Sequence, residues 1–235
     1  MDDVRERRGE TPTGSRRAFL RSTAGVAAVG SVAGCLGVLG DDSPTVLGEP
    51  DRQFDSGDLP YPAWGERVPD VTVPAARSDR EVSTRDVTQP ALYTFFYSHC
   101  NTVCPVLIST MRNVQTHADN EGYADEVSLL PVTFDPERDT ADRLGEYADE
   151  MNVDADADNW TFLRPDGPDR ATAVVSDAFG VTFRRTHPED MEMYMFTHAA
   201  LTVLVNGDGY VERAYRSKAP NEDQILADLK QVREA

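Results

Sequence analysis

Apolar positions in this chain fall into two alternating patterns. Dense runs with hardly a polar break mark buried strands, and apolar residues spaced three and four apart mark helices lying on them. The densest run is 91–97, Ala-Leu-Tyr-Thr-Phe-Phe-Tyr; weaker strand patterns lie at 71–73, 127–134 and 160–163. Between them, residues 105–119 place Val106, Leu107, Met111 and Val114 at helical spacing, with Pro105 in the first turn, where its missing N–H costs nothing. Leu144, Tyr147, Ala148 and Met151 predict a second helix, N-capped by Asp139 or Thr140. A third spans 171–179 and stops at Gly180. Then come a hairpin from 181–183 and 193–196, and strands 200–205 and 210–215 around the turn Asn206-Gly207-Asp208-Gly209. A last amphipathic helix carries Ile225, Leu226, Leu229 and Val232. The order is β-α-β-α-β-α-hairpin-β-β-α, with no internal repeat. It predicts an α/β fold, a central mixed sheet flanked by helices.

The first sixty residues follow neither pattern. Arg16-Arg17 precede Phe19-Leu20 and a weakly apolar run at 24–33, too short for the ~20 residues a bilayer span needs. Residues 1–34 therefore read as a twin-arginine lipoprotein signal peptide. Val32-Ala33-Gly34-Cys35 looks like a lipobox, which makes Cys35 the lipidated first residue of the exported protein. The alternative is an ordinary cleavage near Ala33-Gly34 with Cys35 incidental. Residues 35–60, rich in Gly, Asp, Ser and Pro, read as a flexible linker. Residues 61–235 are then a single domain on the extracytoplasmic face of the membrane, held there by lipid.

Charge narrows the partners. The chain of 235 residues has 41 acidic against 23 basic side chains and a formal net charge of -18. The excess is spread along the sequence, so no basic stripe exists for nucleic acid. Only Lys218 and Lys230 are lysines. An acidic, lysine-poor surface resembles that of proteins from high-salt (halophilic) organisms, where molar salt screens self-repulsion beyond ~3 Å.

Besides Cys35 the chain has two cysteines, Cys100 and Cys104, at the junction of the 91–97 strand with the following helix. A strand that ends in a cysteine pair and opens a helix is the active-site layout of thioredoxin-like proteins, here with an inserted hairpin and with three intervening residues instead of two. Residues four apart share one helix face. The helix N-terminus favours thiolates there, and a cation between two thiolates relieves their repulsion. Soft thiolates select Cu(I) or Zn(II). His198, just before the strand at 200–205, is the candidate third ligand. Two other readings stay open: a structural Cys100–Cys104 disulfide, and a redox pair without metal.

At these residues the chain resembles the Sco/SenC family. The likeness covers roughly residues 65–232 and rests on Tyr97-Ser98-His99-Cys100-x-x-x-Cys104-Pro105, on Val132-Thr133-Phe134-Asp135-Pro136-Glu137-Arg138-Asp139-Thr140, and on Thr197-His198 followed by a strand and Asp208-Gly209. The resemblance implies a thioredoxin-like copper chaperone with Cys100, Cys104 and His198 as copper ligands. It implies delivery to the dinuclear copper site of haem-copper oxidase subunit II. Alternatively, Cys100 and Cys104 act as a thiol–disulfide oxidoreductase that keeps that site's cysteines reduced, drawing on an outside thiol reductant. The family usually has Pro-Asp-Val where this chain has Asn101-Thr102-Val103, and Asp and Ser or Thr where Thr197 and Ala199 flank the histidine. These departures bear on Cu(II) binding more than on Cu(I) binding.

The remaining candidates read more plainly. His99 follows strand alternation away from the pair and is at most a modulator. His117 is a solvated helix residue, and His187 in the hairpin turn is a partner-recognition candidate. Met191, Met193 and Met195 alternate on one face, which reads as core packing. Asp135 and Arg138 order their loop. A peroxidase lacks its Thr-x-x-Cys setting here, and a lipid-anchored binding module without chemistry would tolerate loss of both cysteines. The expected state is a monomer.

Overall fold

In the computed structural model, which describes residues 44–189 and 192–235, the densest apolar run becomes strand β3 (Ala91–Phe96), every residue of it buried. It is the second strand of a four-stranded sheet ordered β4-β3-β7-β8. Strand β4 (Ser128–Thr133) runs parallel to it, whereas β7 (Thr202–Val205) and β8 (Val211–Tyr215) are antiparallel additions, so the sheet is mixed. The register pairs Phe96 with Thr133 and Ala91 with Val205. The β7–β8 turn therefore lies at one end of β3 and the cysteines at the other. A short ribbon, β1 (Thr72–Pro74) with β2 (Glu81–Ser83), lies outside this sheet. This is the thioredoxin-like architecture.

Helix α1 (Cys104–Glu121) buries Leu107, Met111 and Val114 as the spacing predicts, together with Ile108, whereas Val106 faces solvent. Helix α2 (Ala141–Met151) starts at Thr140, whose hydroxyl accepts from the Arg143 N–H, so Thr140 is the cap. Helix α4 (Glu222–Arg233) buries Ile225, Leu229 and Val232.

Four expectations are corrected. Residues 160–163 do not form a regular strand. They make parallel bridges Leu129–Trp160 and Val132–Leu163 on either side of Pro131, which has no N–H to donate midway along the ladder. The third helix begins earlier, as α3 (Pro168–Ala171), and widens into a π-helical stretch (Thr172–Ala178). Its wide turn ends with Phe179 packed on Phe95 at 4.9 Å between ring centroids. The hairpin strands are β5 (Phe183–Thr186) and β6 (Met195–His198), so His198 closes a hairpin strand and pairs with Phe183. Finally, the expected flexible linker is tied to the domain at Val46 and Leu47, although most of residues 48–60 are exposed. Val46 and Leu47 donate backbone N–H bonds of 2.8 and 2.9 Å to Glu212, and Trp64 Nε1 donates to the Leu47 carbonyl at 2.7 Å. Glu212 is fully buried and needs donors; the linker supplies two of them. Residues 1–34 and Cys35 lie outside the described residues. Among the described residues no helix is long and apolar enough to cross a membrane.

Candidate metal centre

The chain leaves β3 through Tyr97 and turns, with Cys100 N–H donating to the Tyr97 carbonyl at 3.2 Å. Cys104 is the first residue of α1. The residue before it, Val103, offers no side-chain cap, and instead Cys104 N–H points at Cys100 Sγ at 3.5 Å. The first sulfur thus meets one of the orphan donors of the helix N-terminus, where a negative charge is favoured.

His198 arrives on β6. Its Nδ1–H donates to the Ala199 carbonyl at 3.0 Å, which leaves Nε2 as the free lone pair. That nitrogen stands 3.3 Å from Cys104 Sγ. The ring is flanked by Phe134 at 5.1 Å and by Tyr97, edge-on, at 6.2 Å. Both cysteines are free thiols and both are buried. The two sulfurs and a ring nitrogen of His198 all lie within 4.8 Å of one another. A three-coordinate ion with bonds of about 2.0–2.3 Å spreads its donors by about 4 Å, so the set fits a soft cation with little movement.

The two thiols are electrostatically unlike. A hydrogen bond from Cys104 holds the Cys100 thiol far below its ordinary pKa, against the opposing effect of burial, with the Thr102 hydroxyl and the Cys104 N–H adding to it. Burial pushes Cys104 upward, and the hydrogen bond to Cys100 and its negative charge push it further. Of the pair, Cys100 is favoured as thiolate and Cys104 as thiol.

Around this set lies a polar frame. Asp139 is fully buried and accepts from Ser98 N–H at 3.2 Å, from Ser98 Oγ at 2.5 Å and from the Thr133 hydroxyl. Arg143 donates to Ser98 Oγ at 3.1 Å. The stretch leading to Cys100 is therefore fixed from α2 and from the loop before it. Asp135 binds Arg138 at 2.5 Å, so both order their loop as the sequence predicts. His99 Nδ1 lies 3.8 Å from Asp139 Oδ1. His99, Asp135 and Asp139 form a second cluster of metal-ligand types, but both carboxylates are already occupied by Arg138, Tyr194, Ser98 and Thr133.

Cys100, Cys104 and His198 come together. His117 is exposed but bonded to the Tyr123 hydroxyl at 2.6 Å, and His187 is exposed 6.2 Å from the Tyr194 ring. Met191 lies outside the described residues. Met193 is half-exposed, so the core-packing expectation fails for it; hairpin residues 192–194 curve away before β6 begins. Sequence reasoning missed Thr102, Tyr194, Arg143 and the anchoring role of Asp139. Only Asp139 carried a signal, its place in the Asp-Pro-Glu-Arg-Asp-Thr stretch.

A thioredoxin-like fold with a dithiol where a strand meets a helix, and an imidazole brought against it by a later hairpin, defines a class of soft-metal and redox proteins. Residues 76–234 match the SCO1/SenC family model, and the chain belongs to that family. It is 27% identical over 136 residues to an SCO2-like protein of Rickettsia conorii, covering 56% of this chain and 61% of that one. It is 26% identical over 138 residues to the SCO1 protein homolog of Bacillus subtilis, covering 58% of this chain and 67% of that one. Among solved structures it is similar in fold to a SCO1/SenC family lipoprotein from Bacillus anthracis, with a TM-score of 0.59 at 20% identity over 72% of this chain and 95% of the other. The copper-bound ScoI of Bradyrhizobium japonicum gives 0.54 at 24% identity over 69% of this chain and 98% of the other.

Proposed function

We propose that this protein is a copper chaperone, tethered by lipidated Cys35 on the extracytoplasmic face after twin-arginine export, that loads the dinuclear copper site of haem-copper oxidase subunit II. The observation that carries the reading is the convergence of Cys100 Sγ, Cys104 Sγ and a His198 ring nitrogen within 4.8 Å. Two soft sulfurs and an imidazole match Cu(I) and still admit Cu(II). A family relative of the same fold has been solved with copper bound. Copper here is cargo. The chain's part is to present Cys100 as a ready thiolate, to give up the Cys104 proton when the ion arrives, and to hold His198 Nε2 unprotonated through the Ala199 carbonyl.

The unlike thiols also favour a second reading, a thiol–disulfide reductase. Cys100 thiolate attacks a disulfide of the oxidase subunit, and Cys104 then displaces the mixed disulfide. The partner gains two electrons and two protons as its thiols form, and the Cys100–Cys104 bond that results is reset by an outside dithiol. Titration of the reduced chain with Cu(I) against a competing chelator separates the readings, with His198→Ala and Cys100→Ser alongside. One tightly held Cu(I) per chain, weakened by both substitutions, is expected. A wild type that holds no copper yet cycles a Cys100–Cys104 disulfide would overturn the chaperone reading in favour of the reductase.

A further inference from the structure

The loop from β4 to α2 grips both halves of the site. One end, through Asp139, fixes the stretch that leads to Cys100. The other end meets the hairpin that carries His198, through Arg185 on β5 and, next to the histidine's own strand, through Tyr194. Tyr194 stands immediately before β6. Its hydroxyl donates to Asp135 Oδ1 at 2.8 Å, and its carbonyl accepts from Arg138 Nη1 at 2.9 Å. The Arg138 guanidinium lies 3.7 Å from its ring centroid, and that of Arg185 lies at 3.9 Å. Arg138 is itself bonded to Asp135, and Arg185 is ion-paired with Glu137. Asp135 is 1% exposed, so the carboxylate that receives the hydroxyl sits in a poor solvent where a lost donor is felt.

The hairpin needs such a grip. Strands β5 and β6 form their own two-stranded sheet and share no ladder with the main one. Beneath them Phe134 stacks on Phe183 and both meet Phe196 edge-on, but apolar packing is non-directional and leaves room to slide. The directional bonds that tie the hairpin to the rest of the site include those of Tyr194, the Arg185–Glu137 ion pair, the 3.3 Å contact of His198 Nε2 with Cys104 Sγ, and the 3.3 Å bond from Phe196 N–H to the Tyr97 hydroxyl; of these, Tyr194 makes two, to Asp135 and Arg138.

We propose that Tyr194, held by Asp135 and Arg138, is a positioning residue for His198: it sets where the imidazole stands against the two sulfurs without touching the metal. This rests on reading the site as a metal centre. Partners of this outer kind typically change metal affinity by about 10–100-fold.

The test is a double-mutant cycle on the full chain, with Tyr194→Phe, Tyr194→Leu and His198→Ala, alone and in pairs. Two quantities are read: Cu(I) affinity by chelator competition, and backbone amide exchange at residues 195–198 in the metal-free protein. Tyr194→Phe removes only the hydroxyl, Tyr194→Leu the ring as well. Amide exchange should quicken in the hairpin and not in α1. Cu(I) affinity should fall by about 10-fold in Tyr194→Leu, recover part-way in Tyr194→Phe, and not change further once His198 is already alanine. An equal loss of affinity in the His198→Ala background would overturn the proposal, because Tyr194 would then act on the whole fold. So would unchanged exchange at 195–198. Failure of the wild type to hold Cu(I) would overturn the metal reading of the site and the role toward it, a result visible without any Tyr194 variant.

Discussion

Two cysteines of the same type, four residues apart, are pushed in opposite directions, Cys100 toward thiolate and Cys104 toward thiol. Cys100 receives donors from Cys104, Thr102 and the helix N-terminus. Cys104 is fully buried and faces the resulting charge. Because the folded Cys100 thiol lies below its unfolded pKa, the folded chain holds fewer protons there. That contribution to stability is complete above the ordinary thiol range and is lost as pH falls through the folded value; Cys104, shifted the other way, opposes it at alkaline pH. Alkylation of the metal-free chain by iodoacetamide, followed by mass spectrometry, should mark Cys100 first. Its rate should stay nearly flat between about pH 6 and pH 8, below the free-thiol pKa of about 8.5. A rate that rises tenfold per pH unit would contradict the assignment. Thr102 is legible here only in hindsight. A hydroxyl between the cysteines has no fixed direction in sequence, and only the turn after β3 brings it 3.5 Å from Cys100 Sγ.

At the scale of elements, helices α2 and α4 obeyed their periodicity, while the third helix widened into π-helix and the sheet edges departed from theirs. Residues 160–163 have the apolar content of a strand, but regular pairing fails at Pro131 of the neighbouring strand, a residue thirty positions away in sequence. The hairpin lies two residues later than its alternation indicated, because Phe183 and Phe196 both turn onto Phe134 and so set the pairing. Two residues past the π-helical stretch, Gly180 has a φ of 67° and comes so close to Pro60 that an added Cβ would sit 1.6 Å from its carbonyl oxygen. Gly180→Ala should therefore cost more than ~2 kcal/mol in a denaturant melt. An effect within ~0.5 kcal/mol, the size of an ordinary surface change, would refute the close approach.

Over the whole molecule the two ends of the central sheet have different duties. The Cys100-Cys104-His198 end carries the chemistry, and the end with the β7–β8 turn receives the segment that follows residue 43. Glu212, next to that turn, holds Val46, Leu47 and the Asn206 amide, at 2.7 Å for the last. Removing this acceptor leaves the buried Leu47 N–H without its partner and takes one partner each from Val46 N–H and the Asn206 amide. Glu212→Ala should cost about 2–4 kcal/mol and should speed tryptic cleavage after Arg52, while the metal end keeps its copper affinity. Unchanged cleavage at Arg52 would show that the segment is held by Leu47 and Trp64 packing alone.

The sequence determined most of the element order, the core-facing sides of α2 and α4 and the Cys-x-x-x-Cys junction, since these depend on local period and on residue chemistry at fixed spacing; His198 it offered as a candidate. Tertiary structure alone decided which sulfur is the thiolate, which carbonyl fixes the imidazole tautomer, and which loop grips the hairpin. The same holds for the linker: nothing in Gly, Asp, Ser and Pro composition announces a buried Glu212 waiting for its backbone. The reason is common to all of them. Hydrogen-bond partners and desolvation are set by contacts between residues far apart in the chain, such as Cys104 with His198, or Val46 with Glu212, and a linear pattern carries no record of who meets whom.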